Sequence, residues 1–381
     1  MKILHLGKYY HPYLGGMETV LRNLAEGLLD AGCQISVLTS GEEGWDQAAS
    51  LVGPVTGSRG TLVRTSRHGI LNSQPLNPDL LGRLRREIAL QGPDLVHLHL
   101  PNPLAALAWV TLRASGLQTL PPLAVWYHAD ITRQRFGRHL VQHLVDVCLE
   151  QARGVCVSSR MLAASSPVLA RSGRSIQVVP FGIDPAPWSA VTPTRDGPFL
   201  FVGRLVPYKG LDLLLDALAE VPAARLILVG DGPDRSALNK QAAALGIADR
   251  IRFVGSLQQE GIVDLMADAR ALVLASRDVS ETFGLVQLEA MAAGLPVVAS
   301  DLPTGIREVG VDGETCLLVP PGDAAALASA MRRLQDEPDL ARRLGEAGRR
   351  RFAEHFTRQV MVARVLEWYR SLLAETAGVV P

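Results

Sequence analysis

The chain has 381 residues, 48% of them hydrophobic and 20% charged, and its 38 basic and 38 acidic side chains cancel at neutral pH. The length allows two domains of about 100 to 200 residues each, and the composition excludes a disordered chain or a polyanion binder acting through its whole surface. The zero conceals an uneven distribution: split near residue 187, the first half carries an excess of about four positive charges and the second of about four negative ones.

The opening residues, Met1-Lys2-Ile3-Leu4-His5-Leu6-Gly7, enter a strand at once without the long apolar core of a signal peptide, so no export is expected. Short runs rich in Val, Ile and Leu then alternate with amphipathic segments, the sequence form of repeated βα units on parallel sheets. In the first half the strand-like runs are 3–7, 34–39, 61–65, 95–100, 124–128, 154–158 and 177–180. The apolar stretch at 104–112 falls short of the roughly 18 residues that suggest a membrane span, so any membrane contact is expected to be peripheral. Beyond Pro180-Phe181-Gly182-Ile183-Asp184, residues 188–197 turn polar and Pro/Gly-rich without periodicity, which predicts a linker.

The series restarts with strands at 199–205, 225–229, 251–254, 271–274 and 296–300 and helices at 210–220, 234–245 and 284–293. The predicted fold class is α/β, with two Rossmann-like, doubly wound parallel-sheet domains over 1–187 and 198–355. In the last segment, 356–381, Val362, Val365, Leu366, Tyr369, Leu372 and Leu373 recur at helical spacing, although periodicity does not say what that helix packs on. Cys33, Cys148, Cys156 and Cys316 form no Cys-x-x-Cys pair and are expected to be buried thiols in a reducing compartment.

Several groups of residues suit anion and sugar chemistry. Gly15-Gly16 opens the first helix, where unpaired N–H groups can receive a phosphate, although a plain βα turn uses the same residues. Gly203-Arg204-Leu205-Val206-Pro207-Tyr208-Lys209-Gly210 follows the first strand of the second series. Arg204 offers a planar fork and Lys209 a point charge, a pair able to neutralise a diphosphate without a metal; alone, it reads equally as a solvated loop. Lys stands at only four positions in the chain, so Lys209 departs from its Arg-based usage.

Glu281 and Glu289 lie eight residues apart, the first in a loop and the second inside a helix, with Gly284 between them allowing close backbone approach. Glu289, beside Leu288, Ala290 and Met291, is costly to bury unless hydroxyl groups bond to it; Glu281 alone reads equally as an acid favoured by a helix N-terminus. His128-Ala129-Asp130 ends a strand, at the edge where open α/β sheets bind ligands. Arg133, Arg135 and Arg138 follow, able to meet an anionic acceptor or simply to line a solvated helix. Gly230-Asp231-Gly232-Pro233 lacks the third glycine of a dinucleotide fingerprint. No Asp-x-Asp occurs, which argues against a diphosphate gripped through a divalent metal, and no metal site is expected.

Taken together, Gly15-Gly16, His128, Gly203-Arg204-Leu205 through Lys209-Gly210, and Glu281 with seven residues between it and Glu289 resemble the family 4 retaining glycosyltransferases along nearly the whole chain. The resemblance implies the GT-B architecture: two Rossmann-like domains facing a cleft, the acceptor held by the first, the nucleotide sugar mainly by the second, and a final helix crossing back to the first. It implies that Arg204 and Lys209 hold the donor diphosphate, that Glu281 contacts the donor sugar and that Glu289 binds the ribose hydroxyls. Gly16 and the backbone of Phe283, Gly284 and Leu285 would complete the donor site. Gly15, Asp130 and Arg133 are the expected acceptor-side residues, and His128 would contact the transferred sugar. His128, Glu281, Arg204 and Lys209 form the expected catalytic set. Retention in such enzymes is explained by front-face attack on an oxocarbenium-like sugar, the departing diphosphate taking the acceptor proton, so electrostatic stabilisation dominates. Glu281, beside the sugar hydroxyls, is not the expected covalent nucleophile.

Tyr127-His128-Ala129-Asp130-Ile131, Pro180-Phe181-Gly182-Ile183-Asp184 and Phe283-Gly284-Leu285-Val286-Gln287-Leu288-Glu289 are similar to segments of bacterial mannosyl and rhamnosyl transferases of O-antigen or exopolysaccharide assembly. This implies GDP-mannose as donor substrate, no resident cofactor, no nucleic acid, and a glycan or polyprenyl-diphosphate-linked acceptor at the cytoplasmic face of a membrane. Thr282 stands where a smaller residue or Pro is common in those enzymes. The alternatives are a UDP-sugar-dependent glucosyl or GlcNAc transferase, a nucleotide-sugar epimerase of the same architecture, and a non-catalytic carbohydrate-binding protein. The last leaves Arg204, Lys209 and Glu289 unexplained as a set. A dehydrogenase is disfavoured without an intact Gly-x-Gly-x-x-Gly.

Overall fold

A computed structural model of the chain describes residues 1–13, 15–43, 47–71, 74–116, 120–131 and 138–377. They divide into two compact units, Met1–Gly182 with Arg358–Pro381, and Ile183–Thr357.

The first unit is built on strands β1 (Lys2–Leu6), β2 (Gln34–Glu43), β3 (Gln47–Val52), β4 (Arg59–Arg67), β5 (Ile70–Leu71), β6 (Gln74–Pro75), β7 (Leu95–Leu100), β8 (Leu123–Tyr127), β9 (Gly154–Val157) and β10 (Ile176–Val178). Helices α1 (Gly16–Asp30), α2 (Leu80–Gln91), α3 (Pro103–Ala114), α4 (Arg138–Gln151), α5 (Arg160–Ser165) and α6 (Pro167–Ser172) connect them. Eight strands form one sheet in the order β10-β9-β8-β7-β1-β2-β4-β3, and β5 pairs only with β6. All neighbours in the large sheet are parallel except β3, which runs antiparallel to β4. Every residue of β7, β8 and β9 is buried, as expected where helices cover both faces of a parallel sheet.

The second unit begins with α7 (Ala186–Ser189) and β11 (Phe199–Val202), then alternates α8 (Leu211–Ala219), β12 (Leu226–Val229), α9 (Arg235–Ala244), β13 (Ile251–Gly255), α10 (Gln259–Asp268) and β14 (Ala271–Leu274). It continues with α11 (Leu285–Ala293), β15 (Val297–Ser300), α12 (Gly305–Val309), β16 (Leu317–Val319), α13 (Ala324–Asp336) and α14 (Pro338–His355). Its sheet is wholly parallel in the order β13-β12-β11-β14-β15-β16. This is the doubly wound arrangement, and both sheets bear out the α/β expectation. Residues 188–197 fold within the second unit: Trp188 and Val191 are buried, and Arg349 donates to the Val191 carbonyl at 2.5 Å. The strand expected over 199–205 stops at Val202, because Gly203 turns out of the sheet at φ 155°.

The chain returns to the first unit through α15 (Arg358–Ala377). Arg358 donates to Asn23 Oδ1 at 3.1 Å and to Glu26 Oε2 at 3.2 Å on α1, and Tyr369 meets His97 of β7. The expected crossing of the final helix is therefore present. Among the described residues no helix is long and apolar enough to cross a membrane.

Gly27, buried in the last turn of α1, is what lets α15 approach. A side chain there would gain about 0.5–1 kcal/mol of helix stability over glycine, but a Cβ would stand 2.6 Å from Val362 Cγ2 and 3.0 Å from the Arg358 side chain. The clash outweighs the propensity. Gly27→Val is expected to lose about 1–3 kcal/mol, read as a lower urea midpoint together with faster hydrogen exchange along Arg358–Ala377.

Candidate active site

In the second unit the strand order reverses direction between β11 and β14, and it is beyond the C-terminal ends of the strands at such a reversal that sheets of this kind bind ligands. The loop after β11 holds Arg204 and a single 3-10 turn, Pro207–Lys209, closed by Gly210 in the left-handed region at φ 64°. A Cβ on Gly210 would lie 2.0 Å from the Ala275 carbonyl, so the loops after β11 and β14 are in direct backbone contact. That approach brings Lys209 to Glu281. Lys209 Nζ donates to Glu281 Oε2 at 2.5 Å, and Ser276 Oγ donates to the same oxygen at 2.8 Å. Both charged side chains are buried. Burial alone would lower the Lys209 pKa, but the Glu281 carboxylate and Tyr208 prevail and raise it, so the ammonium stays charged. The Tyr208 ring lies 5.2 Å from Lys209 Nζ. Arg204, by contrast, is exposed and its guanidinium has no partner among the described residues.

Beyond Glu281, Phe283 is buried and Gly284 forms the N-cap of α11. Leu285 and Val286 head that helix with no carbonyl behind their N–H groups within it, whereas Gln287 N–H bonds to the Gly284 carbonyl at 2.8 Å. Glu289 follows one turn after Leu285. It is partly exposed yet closely surrounded, forms no hydrogen bond to a described residue, and its carboxyl is pushed up to about 7 by burial.

In the first unit Gly15 is the N-cap of α1 and Gly16 its first residue. The cradle expected for a phosphate is filled by Glu18: a Cβ on Gly15 would lie 2.2 Å from Glu18 Oε2. Burial raises the Glu18 pKa, while a hydrogen bond to its own backbone and the charge of Lys8 act in the opposite sense. The N-terminal end of α1 thus already faces a carboxyl group of its own first turn.

His128 follows β8, its N–H bonded to the Leu100 carbonyl at 2.8 Å and its ring stacked on Phe181 and Trp126 at 5.5 and 5.8 Å between centroids. Asp130 Oδ1 accepts from Tyr127 OH at 2.7 Å and from Ser166 Oγ at 2.6 Å, so this carboxylate ties the strand end to the start of α6. Arg133 and Arg135 lie outside the described residues, as does the side chain of Arg138 at the start of α4.

Two family descriptions match the chain, Glycosyltransferase Family 4 over residues 14–187 and Glycosyl transferases group 1 over residues 185–351. Its relatives include the O-antigen chain mannosyltransferase C of Escherichia coli, 29% identical over 98% of this chain and 99% of that one. The D-rhamnosyltransferase WbpZ of Pseudomonas aeruginosa is 32% identical over 94% of this chain and 92% of that one. The chain belongs to glycosyltransferase family 4. Sucrose-phosphate synthase from Thermosynechococcus elongatus superposes with a TM-score of 0.82 at 26% identity, covering 98% of this chain and 99% of that chain, and the shared fold is GT-B. As a family 4 enzyme, this chain is a retaining hexosyltransferase that uses a nucleotide sugar.

Some residues of this glycosyltransferase's candidate site escape a reading of the sequence. Ser276 gives no signal in isolation, because its bond to Glu281 exists only once the loop after β14 has turned back. His97 and His99 did leave one: polar residues two apart on a wholly buried strand point to the same face. With His5 they form a fully buried cluster whose pKa values burial drives down, His99 to about 3.

The Lys209–Glu281 pair has a measurable consequence for stability. Lys209→Met and Glu281→Gln are each expected to cost about 3–5 kcal/mol, because each leaves the other buried charge unpaired. The double variant should lose clearly less than the sum of the two, with a coupling of about 1–3 kcal/mol in urea unfolding.

Proposed function

We propose that the enzyme transfers mannose from GDP-mannose to a glycan or polyprenyl-diphosphate-linked acceptor during cell-surface polysaccharide assembly, at the cytoplasmic face of a membrane. The observation that carries this reading is likeness over nearly the whole chain to two proteins named as a mannosyltransferase of O-antigen chains and a D-rhamnosyltransferase. In this reading residues 198–355 bind the donor, residues 1–187 the acceptor, and 356–381 cross back.

Arg204, exposed and without a carboxylate partner among the described residues, holds the diphosphate together with Lys209 and the backbone of Phe283, Gly284 and Leu285. Lys209 is held in place by Glu281, which keeps its second oxygen for the donor sugar. Glu289 takes the ribose hydroxyls. His128 contacts the transferred sugar, and Gly15, Asp130 and Arg133 lie on the acceptor side. The diphosphate leaves towards Arg204 and Lys209 and receives the acceptor proton, so the side chains act by position and charge.

Thermal-shift and calorimetric titration with GDP, UDP, ADP and their sugar conjugates tests the donor, since a ligand that binds the native state raises its apparent stability. GDP and GDP-mannose are expected to stabilise the enzyme selectively. Arg204→Ala is the diagnostic variant, because Lys209 substitutions also unbalance a buried pair; a tenfold or greater loss of affinity is expected, on the order of one charge-assisted bond. Preference for UDP sugars would retain the transferase and discard mannose, and silence towards every nucleotide would sink the donor site.

Glu289 adds a pH dependence. Hydroxyl groups donate to a carboxylate, so binding favours the ionised form of a group whose carboxyl sits at about 7. GDP-mannose affinity should therefore rise with pH up to about 7, by at most about tenfold per unit, and level off above it. Glu289→Gln should bind more weakly with a flat profile, and a wild-type profile that falls with rising pH would contradict the ribose role.

A further inference from the structure

We infer that His5 and His99 are positioning residues that hold His128 as a neutral imidazole with its proton on Nδ1, a hydrogen-bond donor to a substrate oxygen and not a base. The inference rests on the assignment of His128 to the transferred sugar, which it deepens.

The three rings stand on neighbouring strands at the point where the order of the first sheet reverses, His5 on β1, His99 on β7 and His128 after β8. His99 Nδ1 lies 3.0 Å from His128 Nε2, and His5 Nδ1 lies 3.3 Å from His99 Nε2. Each contact holds one proton, and a neutral imidazole carries one N–H and one lone pair. The chain of rings therefore has two neutral states, with every donor pointing towards His128 or every donor pointing away. Burial drives the pKa values of all three rings far below their usual range, so a third, charged state is not populated near neutrality.

The closed end of the ladder selects between the two. His5 Nε2 is buried with no hydrogen-bond partner. With the donors pointing away from His128 it would be an N–H with nothing to donate to; with the donors pointing towards His128 it is a lone pair. A buried N–H without an acceptor is the less tolerated of the two, as backbone groups show. The donors accordingly run from His5 through His99 to His128 Nε2, and the His128 proton is confined to Nδ1. That nitrogen bonds to no described residue and is the open end of the ladder.

His97 is a neighbour and not a rung. Its Nδ1 pairs with Tyr369 OH of α15 at 2.5 Å, and its ring lies 4.7 Å from that of His99. Ring nitrogens of His5, His97 and His99 do converge within reach of a single ion, but no carboxylate or thiolate among the described residues is bonded to these rings to offset a metal's charge. The hydrogen-bonded ladder needs no such compensation.

The test is a long-range 1H–15N correlation spectrum of the nucleotide-free enzyme labelled at histidine nitrogens, with His128 assigned by its disappearance in His128→Gln. One tautomer is expected for His128, protonated at Nδ1, in a spectrum unchanged by EDTA. His99→Leu, which removes the middle rung, should leave His128 exchanging between both tautomers and lower kcat on the order of tenfold with little change in KM, less than the hundredfold typical of deleting a preorganised donor outright. Protonation of His128 at Nε2, averaging of both tautomers in the wild type, or a spectrum that changes with EDTA would each overturn the inference, and the wild-type spectrum decides even if the variant does not fold. Because no substrate is present, a failure of mannosyl transfer would strike the proposed function and leave the tautomer standing.

Discussion

The site depends on a constraint of parallel sheets. A strand joined to a parallel neighbour through a helix must cross over right-handed, so a sheet that grows first to one side of its founding strand and then to the other has helices on opposite faces at the reversal. In the second unit the founding strand is β11 and the reversal lies between it and β14. The loops there are the ones that carry Arg204, Lys209 and Glu281, and Gly210 brings them into backbone contact. Strand order, and not proximity in sequence, brings a lysine and a glutamate 72 residues apart to 2.5 Å.

The groups expected to meet the donor and the sugar are buried in different ways in the two units. The second keeps charges and compensates them: Lys209 with Glu281, Glu281 with Ser276. The pair is almost neutral as a whole, which leaves Arg204 as an exposed cation of the same loop with no partner among the described residues. The first unit keeps its buried histidines uncharged and relies on hydrogen bonds between rings. A charged group near a departing diphosphate gains from the local field, whereas a neutral donor can contact a sugar hydroxyl without attracting the phosphate. Glu18, bonded to its own backbone N–H and lying against Gly15, alters what the N-terminal end of α1 offers an incoming anion.

Much of the fold was legible because buried parallel strands leave continuous apolar runs: β7 and β14 begin and end at the residues that the runs 95–100 and 271–274 mark. What escaped lacks that signature. β3 is an antiparallel edge strand, Gln-Ala-Ala-Ser-Leu-Val, with only two strongly apolar residues, β16 has three residues, and α14 is rich in Arg, with much of its surface facing solvent. In the candidate site the residue types were legible and their partnerships were not. Lys209 and Glu281 read as two separate ligands for a donor, yet each is the other's counter-ion; Asp130, expected on the acceptor side, has one oxygen engaged by Tyr127 and Ser166. Pairing of this kind is a property of distances across the sheet, which no local spacing encodes.

The last helix imposes an order on folding. α15 closes the first unit from the far side of the sequence, with Arg358 on α1, Leu372 and Trp368 against Gly154, and Tyr369 on His97 beside the histidine ladder. The first unit therefore cannot cover these apolar surfaces until the whole of Ile183–Thr357 has been made. Contacts of such long sequence separation require loop closure before they contribute, which slows folding and leaves partly covered intermediates exposed to aggregation. The narrow glycine faces at Gly27 and Gly154 reduce that hazard, because they leave little side-chain surface unpaired while the chain is incomplete. The same arrangement makes the environment of the ladder depend on a helix encoded after the second unit: without Tyr369, His97 Nδ1 would join its Nε2 as a buried nitrogen lacking a partner.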